Sequence, residues 1–202
     1  MIILNELVIG YNKPLMAPLN MEFEDGKIYG ILGKSGCGKS TLLKTIARIV
    51  RPLSGSVRVD NGHNVYMMHQ RYTNFNWLTC LNNVLIAERN KSKRKELVHV
   101  AEQILIRVGL GEYMDRYPTE LSGGMQQRLA LARVLFVRPH YLLMDEPLSA
   151  LDDVTRMKMQ QFILDVHKET NGTIIMVTHS EAEAKKMCNK IIKVGGNYRE
   201  FA

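Results

Sequence analysis

The first seventy residues of this chain carry the spacing of apolar side chains that is typical of β-strands. Residues 2–9 and 56–60 alternate loosely between apolar and polar positions, and residues 64–70 begin as a short apolar run. A period of two places every second side chain on the same face of a sheet. The pair Asp25-Gly26 is a turn signal within this region. The pattern therefore predicts a β-rich first segment.

Continuous apolar runs appear after Pro139. Residues 141–144 and 173–177 are uninterrupted, as expected of parallel strands that are covered on both faces. Helical segments are predicted near 154–169 and 180–188, so strands and helices alternate here. This alternation predicts an α/β fold with a parallel sheet.

The middle of the chain has a helical spacing instead. Apolar residues recur every three or four positions from 92 to 108 and again from 123 to 137. We interpret residues 71–138 as a helical insertion. The two parts that flank it, 1–70 and 139–202, are predicted to form one nucleotide-binding core.

A glycine-rich loop stands between a predicted strand, 28–32, and a predicted helix, 42–47. Residues 33–41 read G-K-S-G-C-G-K-S-T, which is the phosphate-binding G-x-x-x-x-G-K-[ST] motif in its required context. A Gly/Ser-rich turn with a chance lysine is the alternative, and such a match arises in a chain of this length with a probability on the order of one per cent. The loop predicts a nucleoside triphosphate site.

The chemistry of this loop suits a chain of phosphates. Glycines let backbone N–H groups turn inward, and the helix that begins near Lys39 adds its positive dipole end. Lys39 is expected to reach the outer phosphates, and the Ser40 hydroxyl to bind Mg²⁺. The residues predicted to bind the nucleotide in this loop are Gly33, Ser35, Gly36, Cys37, Gly38, Lys39, Ser40 and Thr41.

Two carboxylates follow the apolar run 141–144. Ligands of α/β proteins bind at the carboxyl ends of parallel strands, so Asp145 and Glu146 are expected to face the nucleotide. Asp145 is predicted to hold Mg²⁺, directly or through water, and Glu146 to act as the general base on the attacking water. A surface acidic pair or a helix cap is the structural alternative.

Two helix starts carry N-cap signals. Ser180 with Glu183 predicts a capping box, in which each side chain bonds the other residue's backbone. Ser122 precedes the paired glycines Gly123 and Gly124, whose exposed N–H groups make a second candidate anion site. A plain capped turn is the alternative for Ser122.

Composition narrows the class of protein. The 202 residues are 46% hydrophobic and carry a formal net charge of +7, which suits one α/β domain and favours anionic partners or solvated lysine faces. The basic run at 89–95 lacks interleaved aromatic residues, so we interpret it as solvated surface.

The N-terminal segment lacks a signal peptide's basic and apolar regions, and no apolar run reaches the length of about 20 residues that spans a bilayer.

The three cysteines, Cys37, Cys80 and Cys188, are widely spaced, which indicates neither a disulfide framework nor a zinc site. Cys37 lies beside Lys39 at a helix N-terminus, two features that favour a reactive thiolate. Alternatively it packs inward and is inert.

The order of these motifs resembles that of ATP-binding cassette (ABC) ATPases over essentially the whole chain. The L-S-G-G sequence distinguishes this family among P-loop proteins. The matching segments are residues 33–41, 121–128, 145–146, 149–152 and 178–179. The resemblance implies a P-loop core with an N-terminal antiparallel β subdomain and an inserted helical subdomain.

Further site residues follow from the resemblance alone. It implies that Tyr11 stacks on adenine, that Gln70 contacts Mg²⁺ and the attacking water, and that His179 lies near the γ-phosphate. It also implies a head-to-tail dimer, in which Ser122, Gly123 and Gly124 close over the ATP of the other subunit and Asp152 makes a dimer contact. Taken singly, Tyr11, Gln70 and His179 are more often structural.

Within the family, the chain resembles the importer ATPases for nitrate, sulfonate and taurine. The residues on which this resemblance rests are 75–79, Tyr117-Pro118, Met125, and Leu151-Asp152 with Arg156. The resemblance implies an ATP- and Mg²⁺-dependent subunit, as a homodimer or with a second ABC ATPase. It would lie on the cytoplasmic face of a membrane and energise a separate permease, with no nucleic acid as partner. A soluble ABC ATPase acting on nucleic acid or ribosomes is the alternative, and a protein with an inactive site is a third.

Three aromatic residues, Tyr72, Phe75 and Trp77, are concentrated within six positions. We expect them to border a groove for a short helix of the membrane subunit. The alternative is that these rings pack the insertion onto the core.

Overall fold

A computed structural model describes residues 1–60, 62–68, 74–88, 90–149, 151–195 and 199–201. The chain divides into two compact units, Met1–Gln70 with Pro139–Ala202, and Arg71–Arg138. The predictions made for Gln70 and Tyr72 lie outside the described residues.

Within the described residues, the strands all belong to the first unit. They are β1 (Ile2–Val8), β2 (Leu19–Phe23), β3 (Ile28–Leu32), β4 (Ser54–Val59), β5 (Val65–Met68), β6 (Tyr141–Asp145), β7 (Thr173–Val177), β8 (Lys190–Lys193) and β9 (Arg199–Phe201). The helices in the same ranges are α1 (Lys39–Ile46), α2 (Cys80–Leu85), α3 (Lys91–Glu96), α4 (Val98–Arg107), α5 (Gly123–Val137), α6 (Asp153–Thr170) and α7 (Glu181–Met187). Short 3₁₀ helices cover Gly111–Tyr113 and Pro118–Glu120.

Two sheets form in the first unit. A small antiparallel sheet has the order β2-β1-β4, and β2 alternates buried and exposed residues as a sheet with one solvated face does. The larger sheet has the order β5-β6-β7-β3-β8-β9 and is parallel except for β9. The predicted α/β class is confirmed.

Strands β3, β6 and β7 are buried along their whole length. This confirms the interpretation of the apolar runs 141–144 and 173–177 as strands covered on both faces. Tyr29, Tyr141 and Phe23 are the largest fully buried side chains, and they belong to one apolar core cluster. Since each completely buried aliphatic side chain contributes about 1.5–3 kcal/mol, this cluster holds the parallel sheet in place.

The second unit is helical. Helix α5 has the predicted bounds, and the helical spacing from 92 to 108 corresponds to two consecutive helices, since α3 ends at Glu96 and α4 begins at Val98. The side chains of α4 include the buried Ala101 and Leu105, and α4 packs on α2 and α5. Helix α3 is held differently, since Arg94 donates from it to the carbonyls of Glu88 and Ile86. Across the described ranges, no helix is long and apolar enough to cross a membrane.

A polar cluster surrounds the hydroxyl of Tyr141 at the start of β6. This hydroxyl donates to Asp25 Oδ1 over 2.7 Å and lies 2.9 Å from His63 Nδ1. The ring of His63 stacks on that of His140 with centroids 4.3 Å apart. Burial by itself would raise the pKa of Asp25, but hydrogen bonds from the Met1 amino group and Tyr141 hold this pKa below its ordinary value. Burial strongly raises the pKa of Tyr141. Its hydroxyl therefore stays protonated and donates a hydrogen bond to Asp25.

We expect Tyr141→Phe to lower the free energy of unfolding by about 1–2 kcal/mol, because it removes the donor to Asp25 from a buried position. Since the pKa of Asp25 is lowered in the folded state, its contribution to stability is present above the ordinary aspartate pKa and is lost as the pH falls below about 3.9. Urea denaturation should therefore show that the free energy of unfolding differs less between Tyr141→Phe and the unmodified chain at acidic pH than at neutral pH. Tyr113→Phe, at a partly exposed ring, is the control, and an equal loss in both variants would contradict this role.

Candidate functional site

The glycine-rich loop between β3 and α1 has the backbone conformation of a phosphate cradle. Gly38 adopts φ +103°, where L-residues with side chains are strained, and a Cβ there would lie 3.1 Å from the side chains of Leu15 and Met16. No side chain caps the first N–H groups of α1. Backbone donors at a helix N-terminus attract anions, so the loop presents an anion site without a capping side chain in it.

Lys39 is buried although it is charged, with 6% of its surface exposed. Its Nζ donates to the carbonyl oxygens of Gly33 and Lys34 at 2.8 and 3.0 Å. These bonds compensate the ammonium group for the loss of water. They also hold the cation across the loop, where outer phosphate oxygens are expected.

The start of α1 and the end of β6 are joined by a hydrogen bond. The Ser40 hydroxyl donates to Asp145 Oδ1 over 2.8 Å, and Asp145 is 6% exposed. A hydroxyl and a carboxylate are hard oxygen donors, which are the ligands Mg²⁺ prefers. This pair therefore fits a magnesium ion held between helix and strand.

Glu146 has an unusual backbone conformation. Its φ is +48°, in the left-handed region that residues with side chains seldom adopt. Its N–H donates to the carbonyl of Val177 over 3.0 Å, and the Ser149 hydroxyl donates to its carbonyl over 3.1 Å. Such strain is kept where neighbouring structure enforces it, often at functional sites. Its Oε1 lies 3.6 Å from Nδ1 of His179, so the turn after β7 meets the loop after β6.

The capping box predicted at the start of α7 is half wrong. The Ser180 hydroxyl does accept from the N–H of Glu183, at 3.3 Å. The Glu183 carboxylate does not return the bond, because the Ser180 N–H donates to the Thr178 hydroxyl and this hydroxyl donates to Glu183 Oε2 over 2.7 Å. Glu183 is thus turned inward, where Oε1 lies 3.9 Å from Arg156 Nε.

Arg156 and Glu183 also belong to this site, although the sequence indicated only a subclass motif for Arg156 and a helix cap for Glu183. A cleft of about 200 Å³ is lined by both of them together with Glu146, Ser149 and His179. Glu183 stands between two alanines on α7, and an acid on an otherwise apolar helix face is a signal that it has a buried partner. The position of that partner, far away in sequence, could not be known without the structure.

The remaining predicted residues occupy separate positions. Tyr11 is 62% exposed. Asp152 is the N-cap of α6, and the hydrogen bond from the Thr155 N–H lowers its pKa. Ser122 is the N-cap of α5 in the second unit, and its hydroxyl accepts from the Met125 N–H at 3.4 Å. Within the first unit, the structure thus joins Ser40 to Asp145 and Glu146 to His179.

A parallel sheet with a phosphate loop, an acidic strand end and a histidine turn defines the first unit as a P-loop ATPase. The family model described as ABC transporter matches residues 16–149. The chain belongs to this family and is an ABC ATPase, as the resemblance of its motifs implied.

Relatives and a solved structure agree with this assignment. The chain is 39% identical over 196 residues to the taurine import ATP-binding protein TauB of Ruegeria pomeroyi, covering 93% of this chain and 72% of the relative. It is 41% identical over 174 residues to the aliphatic sulfonates import ATP-binding protein SsuB 1 of Shouchella clausii, covering 85% and 68%. The dimeric post-hydrolysis structure of the ATP-binding cassette MJ0796, bound to ADP and Pi, superimposes with a TM-score of 0.83 at 26% identity, covering 100% of this chain and 99% of that one.

The cysteines differ in their surroundings. Cys37 is half-buried, and its Sγ would lie 2.9 Å from a Cβ at Gly33 and 3.1 Å from one at Gly195. Burial raises the pKa of the Cys80 thiol to about 11 and that of Cys188 to about 12. Because the thiolate is the nucleophile, we expect these two thiols to react slowly with alkylating agents at neutral pH.

We expect N-ethylmaleimide near neutral pH to modify Cys37 before Cys80 or Cys188, and Mg²⁺-ATP to slow that reaction. The measurement is peptide mass spectrometry over a time course, with Cys37→Ser as the control that should remain largely unlabelled. Labelling confined to Cys80 and Cys188 would show instead that Cys37 packs inward and is inert.

Proposed function

We propose that this chain is the ATP-hydrolysing subunit of an importer for small anionic solutes such as sulfonates, and that it lies on the cytoplasmic face of the membrane. The observation that carries the catalytic part is the pair of contacts from Ser40 to Asp145 and from Glu146 to His179, side by side at the ends of β6 and β7. Import and the solute class are supported by the names of the two relatives, which are ATP-binding proteins for taurine and aliphatic sulfonate import.

The roles of the residues follow from their chemistry. Lys39 and the loop N–H groups would bind the phosphates, and Ser40 and Asp145, with Gln70, would hold Mg²⁺. When bound, Mg²⁺ neutralises charge on the β- and γ-phosphates. Glu146 would accept the proton of the attacking water, and His179 would donate to the γ-phosphate. Tyr11, being exposed, is free to stack on adenine.

The working form in this proposal is a head-to-tail dimer, either of two copies or with a second ABC ATPase. Ser122, Gly123 and Gly124 begin α5 with exposed backbone, and nothing lies within 4 Å of a Cβ placed at Gly123. Such a helix start can receive the γ-phosphate of an ATP molecule bound to another subunit. The dimeric state of the MJ0796 cassette supports this arrangement.

We expect Glu146→Gln to bind ATP and to lose turnover by a factor of about 100 or more, because the amide keeps the shape of the side chain but accepts no proton. Bound ATP should then hold two chains together. Size-exclusion chromatography with and without Mg²⁺-ATP measures the dimer, and phosphate release measures turnover.

The matched control is Lys39→Ala in the same Glu146→Gln background. It removes the cation of the loop, so nucleotide binding should weaken and the dimer should not form. A Glu146→Gln protein that hydrolyses ATP at the normal rate would refute the role of the base. One that binds ATP but stays monomeric at high concentration would refute the sandwich dimer.

The permease is proposed to dock on the second unit, at the loop that carries Trp77. Trp77 is 73% exposed, an unusual state for the largest apolar side chain. The loop beneath it is well held: Asn83 is completely buried, accepts from the Phe75 N–H at 2.8 Å and donates to the Phe75 and Leu78 carbonyls. A rigid support with an exposed aromatic ring is typical of a protein interface.

Phe75 has a different position from Trp77. It is half-buried, with Arg133 Cζ 4.8 Å from its ring centroid and the Trp77 ring 5.3 Å away. A charge at Phe75 would therefore be expected to disturb the second unit itself. The interface is best tested at Trp77.

We expect Trp77→Ala to cost about 2 kcal/mol of binding to the membrane subunit, which is a loss of roughly thirtyfold, while basal ATPase activity and thermal stability stay near those of the unmodified chain. Co-purification from detergent-solubilised membranes measures the association. Tyr113→Ala, at an exposed ring in the same unit, is the control. Unchanged co-purification of Trp77→Ala, or its unfolding, would contradict docking at this residue.

A further inference from the structure

Two loops of the first unit each carry one half of the catalytic pair. The β6–α6 loop, residues 146–152, begins with Glu146 and ends with Asp152. The β7–α7 turn, residues 178–180, carries His179. They come from different parts of the chain, and the 3.6 Å contact between Glu146 and His179 joins a half-buried carboxylate to an exposed imidazole. A deeper connection between the two loops is made by Arg156 and Glu183.

Arg156 holds the β6–α6 loop from the first turn of α6. Its Nη2 donates to the Leu151 carbonyl over 2.5 Å, and its Nε donates to the Leu148 carbonyl over 3.5 Å. Its Nη1 donates to Asp153 Oδ1 over 2.6 Å. A planar guanidinium with several fixed donors can bind all three oxygens at once, which a lysine cannot do. Arg156 therefore sets the path of the loop at two backbone positions.

Glu183 holds the β7–α7 turn in the same way. It is 8% exposed, and its Oε2 accepts from the hydroxyl of Thr178, which is itself 3% exposed. That hydroxyl accepts from the Ser180 N–H at 3.1 Å. The carboxylate thus fixes the backbone on both sides of His179. It is a structural anchor for the turn.

The two anchors contact each other, since Arg156 Nε lies 3.9 Å from Glu183 Oε1. A carboxylate removed from water needs an opposite charge, and losing one partner of such a pair leaves the other uncompensated. Arg156 holds the β6–α6 loop, and Glu183 holds the β7–α7 turn. Because the two side chains contact each other, the position of each depends on the other.

We propose that the Arg156–Glu183 pair is a positioning unit for ATP hydrolysis. It couples the β6–α6 loop to the β7–α7 turn and so keeps the side chains of Glu146 and His179 in the correct relative position. This inference rests on the proposed roles of Glu146 and His179. Both members of the pair are positioning residues. A movement of Asp152 when a second subunit binds would be passed through Arg156 and Glu183 to His179.

The kinetic test is a double-mutant cycle with Arg156→Gln, Glu183→Gln and the double variant. Each single change should lower kcat about tenfold while the KM for ATP changes by less than about twofold, because the phosphate loop is untouched. The double variant should be no slower than either single one, since residues that act as a unit are not additive. Glu181→Gln, an exposed glutamate on the same helix, is the matched control and should leave the rate unchanged.

A second measurement does not depend on turnover. Hydrogen exchange of backbone amides in the nucleotide-free protein should show that Glu183→Gln speeds exchange in the β6–α6 loop as well as in the β7–α7 turn. Arg156→Gln should reciprocally speed exchange in the β7–α7 turn. Glu181→Gln should affect neither loop. If Arg156→Gln fails to fold, Arg156→Lys replaces it, because it keeps the charge and loses the fork.

Strict additivity in the cycle, or exchange that changes only in the mutated residue's own segment, would overturn the coupling. So would rate losses that merely follow the unfolded fraction measured by thermal denaturation. These outcomes are distinct from a failure of the catalytic roles proposed for Glu146 and His179. Such a failure would appear as normal ATP hydrolysis by Glu146→Gln, whatever result the double-mutant cycle gives.

Discussion

Burial of three neighbouring strands on both faces is the constraint on which the rest of this structure depends. Along β3, β6 and β7 every residue is buried, and the charged side chains of the site stand at the last residue of a strand or just beyond it. The carboxyl ends of parallel strands lie at the same edge of a sheet. The phosphate loop, Asp145 with Glu146, and Thr178 with His179 therefore come together although they are far apart in the chain.

The site also depends on compensation of buried charge. Lys39, Asp145 and Glu183 are all less than a tenth exposed, which is costly for ionised groups without partners. Lys39 is compensated by loop carbonyls, Asp145 by the Ser40 hydroxyl, and Glu183 by Thr178 and Arg156. Asp145 and Glu183 also have partners in other elements, Ser40 of α1 and Arg156 of α6, whereas the partners of Lys39 lie in its own loop. Electrostatic compensation thus holds the phosphate loop together and links β6 to α1 and α7 to α6.

Local signals were sufficient for many features. The P-loop motif, the apolar runs of β6 and β7, and the N-cap of α5 were all predicted, because each depends on residues that are adjacent in the sequence. The sequence did not show that the helical segment from 92 to 108 forms two helices, α3 and α4. The half of the capping box in which Glu183 was predicted to bond the Ser180 N–H is wrong, because the Glu183 carboxylate accepts from the Thr178 hydroxyl and faces Arg156.

The sequence by itself determined the α/β class, the phosphate loop and the family, since spacing and residue type suffice for these. Tertiary structure alone decided which side chains meet. It separated the exposed Trp77 from the half-buried Phe75, and it paired Arg156 with Glu183, which lie 27 positions apart in the sequence. The physical reason is that burial and ion pairing depend on which residues are neighbours in space. The local sequence pattern of a helix or strand does not specify which other element packs against it.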